Sequence, residues 1–367
     1  MALQIISTNT VVASGPAVNL TDTDSVFVAT NVVVAVQSGV AINGTGSGHR
    51  ATIAGNVMGG FIGIALGSDG ASDVAGQLVV TSSGVVSASG IGAVLRTTSG
   101  SGVNYGSISG GTYGYILSGT GLLTTSTLQN YGSIFGGNYG VARDGAIITE
   151  RFVVTNLGTI TSPIDAFNSL GAIAIDVIYN RGMMVGQVRL DGGTDLFDNR
   201  NGTVIGDVFM GDGVDVYDGR GGSVQGVISG DAGVDTFRVG ADIETIDGGA
   251  DNDLLDFRTT SGIQVALDLA FANTGVAAGD EYTNLENIYG SSFGNDLLRG
   301  NALNNGFFGF GGNDTLQGGA GVDQLAGGNG ADAMNGGAGN DTFLYLGLGE
   351  AGDVIVDFTN VGGNDDR

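Results

Sequence analysis

Four aspartates recur at intervals of nine, Asp314, Asp323, Asp332 and Asp341. Each closes a glycine-rich loop and opens a short apolar strand, in the segments GFGGNDTLQ, GGAGVDQLA, GGNGADAMN and GGAGNDTFL. A carboxylate repeated at fixed spacing, next to backbone free to turn its carbonyls inward, is the chemistry that holds a hard cation in oxygen. Glycine allows that turn because it takes positive φ without steric cost. The candidate cups are therefore Gly309, Gly311 and Gly312, then Gly318, Gly319 and Gly321, then Gly327, Gly328 and Gly330, then Gly336, Gly337 and Gly339.

The residues after each aspartate, such as Thr315–Leu316–Gln317, alternate polar and apolar, which predicts a strand too short to stand alone. One repeat then makes half a turn, and residues 18 apart stack at the inter-strand distance of roughly 4.8 Å. Asp296 is expected beneath Asp314 and Asp332 on one side, and Asp323 beneath Asp341 on the other. Carboxylates stacked so closely repel by about 0.9 kcal/mol per pair in water and by several times more in a protein-like dielectric. Ca²⁺, which accepts six to eight oxygens in irregular geometry, fits such a column better than Mg²⁺. Calcium-dependent folding of this region is the expectation.

The pattern GGxGxDxUx resembles the calcium-binding nonapeptide of RTX proteins. That resemblance implies a parallel β-roll, several bound Ca²⁺ ions, and export from a Gram-negative bacterium by type I secretion with an uncleaved C-terminal signal. The chain stops at Asn364–Asp365–Asp366–Arg367, where such a tail would begin, so the sequence is expected to be truncated or processed.

Net charge is −25. Residues 1–190 hold eight acidic residues against six arginines, a balance of −2 that leaves −23 for residues 191–367. So acidic a surface excludes nucleic acid as a partner, because phosphate binding needs clustered cations. All 12 cationic residues are arginine and there is no cysteine, so disulfides and thiolate metal sites are ruled out. No apolar run approaches the roughly 20 residues of a membrane helix. The start, MALQIISTNTVVASG, lacks the basic region of a cleaved secretory signal.

With 71 glycines and two prolines, the chain predicts an all-β fold, a parallel β-solenoid (β-helix) running into a C-terminal calcium-binding RTX β-roll. Three blocks of twenty align without gaps at 181–200, 201–220 and 221–240, placing Asp195, Asp215 and Asp235 in one column. Asp253 follows 18 residues later. These read as degenerate calcium loops. Further back, Asn104, Asn130, Asn156 and Asn180 each precede a glycine by two, at spacings of 26, 26 and 24, with a looser echo at Gly92 and Gly63. They resemble β-helix rungs of bacterial surface proteins and predict a hydrogen-bonded asparagine ladder. The divisions are residues 1–50 as a capping or assembly segment, 51–180 as NxGxI rungs, 181–256 as twenty-residue rungs, 257–295 as a strand-rich insert that interrupts the ladder, and 296–367 as the β-roll. Asp280, Glu281 and Glu286 of the insert are read as ordinary solvated carboxylates, the alternative being that they close one more metal site. The apolar run 26–37 reads as one buried strand.

Catalytic constellations are scarce. His49 is the sole histidine and sits in a glycine-rich stretch read as a surface loop, so an HExxH zinc site and a Ser–His nucleophile are both excluded. Polysaccharide lyases and epimerases also use β-helices, and Arg143, Asp144, Glu150 and Arg151 are the residues such an enzyme would use. No acidic column in residues 1–190 meets a basic one, however. The expectation is a secreted, non-enzymatic, calcium-dependent structural or cell-surface protein, as an S-layer, filament or matrix adhesin that self-associates, with a cell-surface glycan as a further partner.

Overall fold

In the computed structural model the described residues are 2–21, 23–67, 75–118, 125–144, 151–170, 174–345, 347, 352–358, 360–361 and 364–367. They form two compact units, Met1–Gly211 with Val224–Gly226, and Asp212–Ser223 with Val227–Arg367. The division falls inside the twenty-residue blocks. Among the described residues regular structure is strand, apart from one 3-10 turn at Gly275–Ala277.

The first unit is a stack of rungs, most of them built from three short strands. Ser101–Asn104, Ser107–Gly110 and Tyr113–Ser118 make one, and Thr125–Asn130, Ser133–Gly136 and Tyr139–Arg143 make the next. They pair in parallel with Asn104 opposite Asn130 and Ile108 opposite Ile134. Alternation fixes which face is inside on two of the strands: Leu128 and Ile134 are buried while Gln129, Ser133 and Phe135 face solvent, whereas on the third Gly140, Val141 and Ala142 are all buried. At the corner after each asparagine, a Cβ on Gly132, Gly158 or Gly182 would collide with the carbonyl of Gly106, Gly132 or Gly158 in the neighbouring rung. That close approach explains the glycine column. It continues backwards through Gly84, not Gly92: Gly63, Gly92 and Gly114 belong to a different corner, where each would-be Cβ meets the next carbonyl.

The asparagine ladder is present. Nδ2 of Asn104 donates to Oδ1 of Asn130, Asn130 to Asn156, Asn156 to Asn180, and Asn180 to Asn199, each at 2.8 Å. The first fifty residues belong to the same stack, since Leu3–Ile6 pairs with Ser25–Val28, which pairs with Arg50–Ile53. The run 26–37 is not one strand. It splits into Ser25–Val28 and Val33–Ser38 around Asn31, whose φ is 63°.

In the second unit, one sheet runs Val216–Asp218, Thr236–Arg238, Leu254–Asp256, Asn287–Tyr289, Gly306–Gly311, Gln324–Asn329 and Thr342–Phe343. Another runs Gln264–Ala266, Leu297–Arg299, Thr315–Ala320, Ala333–Ala338 and Val354–Ile355. Thr315 faces Ala333 and Gln324 faces Thr342, so residues 18 apart do stack. The middle residue of each short strand points inward. Phe237, Leu255, Ile288, Phe307, Leu325 and Phe343 fill one side and Val265, Leu298, Leu316 and Met334 the other, all buried. The insert leaves one wall continuous, since Asn287–Tyr289 pairs with Leu254–Asp256 on one edge and Gly306–Phe308 on the other, but it interrupts the opposite wall, where one sheet ends at Glu281–Thr283 and another begins at Gln264–Ala266. No helix among the described residues is long and apolar enough to cross a membrane.

Candidate metal centre

The turns before the aspartates share a backbone signature. The fourth and second residues ahead of the carboxylate are both left-handed: Gly319 at 111° and Gly321 at 126° before Asp323, Gly328 at 99° and Gly330 at 147° before Asp332, and Gly337 at 97° and Gly339 at 144° before Asp341. Before Asp314 the same places hold Phe310 at 74° and Gly312 at 135°. Two of the three twenty-residue rungs repeat the signature, with Asp191 and Gly193 before Asp195 and Asp231 and Gly233 before Asp235, as do Gly249 and Asp251 before Asp253; before Asp215 only Gly211 is left-handed. These rungs therefore contain the same turn, even where a non-glycine residue bears the cost of roughly 1–2 kcal/mol.

Gly309, Gly318, Gly327 and Gly336 are glycine for another reason, as is Gly311: none of them has positive φ. A Cβ on Gly309 would overlap Oδ2 of Asp314 and lie 2.5 Å from the carbonyl oxygen of Gly327. On Gly318 it would overlap Oδ2 of Asp323 and lie 2.6 Å from Gly336 O. A carboxylate oxygen and a carbonyl oxygen of the next rung converge there, and only a bare Cα admits both.

Every aspartate of the series is buried. Oδ1 accepts the backbone N–H of the residue one rung earlier: Asp314 from Asp296 at 2.8 Å, Asp332 from Asp314 at 2.7 Å, Asp341 from Asp323 at 2.9 Å, Asp323 from Asn305 at 2.8 Å. Asp235 and Asp253 accept from Asp215 and Asp235, both at 2.8 Å, and in the first unit Asp195 accepts from Asp176 at 2.7 Å. Oδ2 of Asp235, Asp253, Asp314, Asp323 and Asp341 is buried without a hydrogen-bond donor. Burial pushes the Asp253 and Asp314 carboxyls up to about 7 and those of Asp235 and Asp323 to about 6, against the lowering effect of the amide bonds. Asp341 is raised for the same reason.

Asp296 departs from the series. Its Oδ1 accepts from Ile263 N at 2.9 Å and Ser291 Oγ at 2.8 Å, and its Oδ2 from Ser291 N at 2.7 Å. Neither Ser292 nor Gly294, ahead of it, is left-handed. The protein alone satisfies this carboxylate, so its geometry does not require a cation.

The columns have other members, of which Glu244, Asp353 and Asp366 went unread in the sequence. Glu286, expected to be solvated, is buried and its Oε2 accepts Asp253 N–H at 2.9 Å. Asp280 is buried as well, accepting from Glu244 N at 2.9 Å and Tyr282 Oη at 2.7 Å, whereas Glu281 is exposed as expected. Glu244 is wholly buried, and desolvation raises its carboxyl to about 8. Asp353 and Asp366 continue the two RTX columns, accepting from Asp332 N at 2.9 Å and Asp341 N at 3.1 Å.

The donor chemistry fits calcium. Among the described residues no three His, Cys, Asp or Glu side chains gather to hold a metal, so carboxylates alone do not make the site. An ion at these turns would take the orphaned Oδ2 atoms together with loop carbonyls, an all-oxygen set of the kind Ca²⁺ selects. Of the residues named for a glycan-cleaving site, three lie among the described residues. Arg143 is buried with its Nε 3.9 Å from Asp176, Asp144 and Arg151 are exposed, and Glu150 lies outside the described residues. His49 is not on a surface loop: it is buried, with Nδ1 3.0 Å from the Asp24 carbonyl.

Comparison with protein families matches the RTX calcium-binding nonapeptide repeat (4 copies) to residues 227–258 and 308–343. The chain carries RTX calcium-binding repeats, and the first of these segments begins inside the third twenty-residue block and runs on to Arg258. No curated protein and no solved structure matches the chain.

Proposed function

We propose that the chain is an exported, non-enzymatic structural protein whose repeats bind Ca²⁺ outside the cell, and that it assembles there into a filament, lattice or adhesive layer. The observation that carries this reading is the row of buried carboxylate oxygens without donors in the second unit, at Asp235, Asp253, Asp314, Asp323 and Asp341. An unsatisfied buried acceptor costs about 1–3 kcal/mol, and more when charged, so without a cation the column opposes folding. Calcium removes the cost. The side chains that would hold it are Asp195, Asp215, Asp235, Asp253, Asp314, Asp323, Asp332 and Asp341, with their loop carbonyls. Extracellular calcium modules bind at about 10⁻⁴–10⁻³ M, which lets such a chain stay unfolded through type I secretion from a calcium-poor cytosol and fold outside.

Assembly is supported by the near-neutral first 190 residues and by exposed apolar side chains such as Leu3, Ile5 and Val11 on its first strands. Cation binding would also reduce the repulsion between acidic segments of neighbouring copies. Negative-stain electron microscopy at millimolar calcium, with and without EGTA, tests it. Ordered assemblies that dissolve in EGTA are expected, and monodisperse monomers under both conditions would defeat the assembly claim.

A further inference from the structure

Inside the first unit one row of the core ends in a charge. Gly44, Leu66, Leu95, Leu117 and Arg143 stand opposite one another in successive rungs. The three leucines are buried, and so is the arginine that follows them, its side chain 1% exposed. A guanidinium stays charged at every accessible pH, so a leucine row admits one only where an anion meets it. Its Nε lies 3.9 Å from Oδ1 of Asp176, a carboxylate with no exposed surface.

Asp176 opens an acidic row on the facing wall. Ser126 and Phe152 precede it in register, both uncharged, and Asp195 follows, its Oδ1 accepting the Asp176 N–H at 2.7 Å. The same bond recurs along the second unit, as from Asp314 N to Asp332. What differs is how the oxygens of Asp176 itself are held. Oδ2 accepts from Ser169 Oγ at 2.5 Å, while Oδ1 faces Arg143. Ala174, two residues ahead, is not left-handed, so this turn departs from the one before Asp323, Asp332 and Asp341.

We propose that Arg143 is the resident cation of the first carboxylate in this row, supplying from the chain itself the charge that Ca²⁺ supplies to the later aspartates. The acidic row thereby starts from a rung that needs no metal. A side chain that merely filled the leucine row would act through its bulk, and its loss would be indifferent to the charge at residue 176. The comparison with Ca²⁺ rests on the calcium reading of the later repeats, whereas the pairing of Arg143 with Asp176 is testable without calcium.

The test is urea unfolding of the full chain in EGTA and in millimolar calcium, read by hydrogen–deuterium exchange over residues 151–168, which reports on the first unit alone. In EGTA, Arg143→Met is expected to lower the urea midpoint by about 1 M, because it leaves a buried carboxylate without its countercharge. Asp176→Asn strands the guanidinium instead and should cost a similar amount. The double variant should recover at least half of the loss. Calcium should raise the midpoint of Arg143→Met at least twice as far as that of the wild type or of Asp176→Asn. A double variant no more stable than Arg143→Met overturns the proposal, as does a calcium response of Arg143→Met no larger than the wild type's. If Arg143→Met does not fold, the double variant decides: native protection in EGTA supports the pairing, and failure to fold overturns it. A second unit indifferent to calcium in all four proteins would defeat the calcium reading and leave the EGTA comparison of the pair standing.

Discussion

An asparagine column in the first unit and an aspartate column in the second occupy comparable places, at the corner of a stacked strand, yet their chemistry differs by one atom. Each asparagine both gives and takes. Asn130 receives from Asn104 through Oδ1 and donates through Nδ2 to Asn156 and to the Thr159 carbonyl. A carboxylate can only accept. Asp323 takes one amide proton from Asn305, and its other oxygen is buried without a donor. The amide ladder closes its own hydrogen bonds, whereas the carboxylate ladder needs a positive charge from outside. Self-sufficient and cation-dependent folding thus arise from the same rung architecture.

Removing calcium should separate the two columns most sharply. Hydrogen–deuterium exchange in EGTA is expected to erase protection over residues 306–343 while leaving residues 125–143 and 151–168 protected, and uniform loss or uniform retention would break the comparison. Next in size, Asn130→Ala interrupts the amide ladder and should cost about 3 kcal/mol, because it strands buried partners on both sides. Urea unfolding of the first transition should report that loss equally with and without calcium.

Acidity offers a third lever. The Asp253 and Asp314 carboxyls stand near 7 in the folded chain, above the roughly 3.9 of an unfolded aspartate. The metal-free fold therefore binds more protons than the unfolded chain between these values, so its stability is present at low pH and is lost as pH rises through about 7. In EGTA the second unit should show a higher urea midpoint at pH 5 than at pH 8. With calcium the order should reverse, since protons compete with the ion. The smallest contrast lies between two aspartates of one column. Asp314→Asn should reduce the number of bound ions, and Asp296→Asn should leave it unchanged, as counted by equilibrium dialysis.

Much of this was legible from the residues. The interval of nine gave the eighteen-residue stacking of Thr315 on Ala333, and the repeated asparagines gave the ladder from Asn104 to Asn180. What escaped was whatever broke the period. Glu286 stands 33 residues after the aspartate whose amide it caps, because the insert lengthens that rung, and Asp353 and Asp366 follow at 21 and 25. Asp296 has the right spacing and the wrong neighbour, Ser291, whose hydroxyl and amide satisfy it. The first glycine of each loop was assigned to φ, when the reason is room for an oxygen from a distant rung, which no local pattern reveals.

The eighteen-residue register of the last repeats constrains how this segment can change length. Duplicating or deleting residues 319–336 would shift the chain by one full coil and return every later side chain to its own sheet. A change of nine would move Gln324–Asn329 and Ala333–Ala338 to opposite walls, sending residues shaped for one side to the other. Insertion or deletion of nonapeptides in pairs is therefore expected to preserve the fold, and of a single copy to disrupt it.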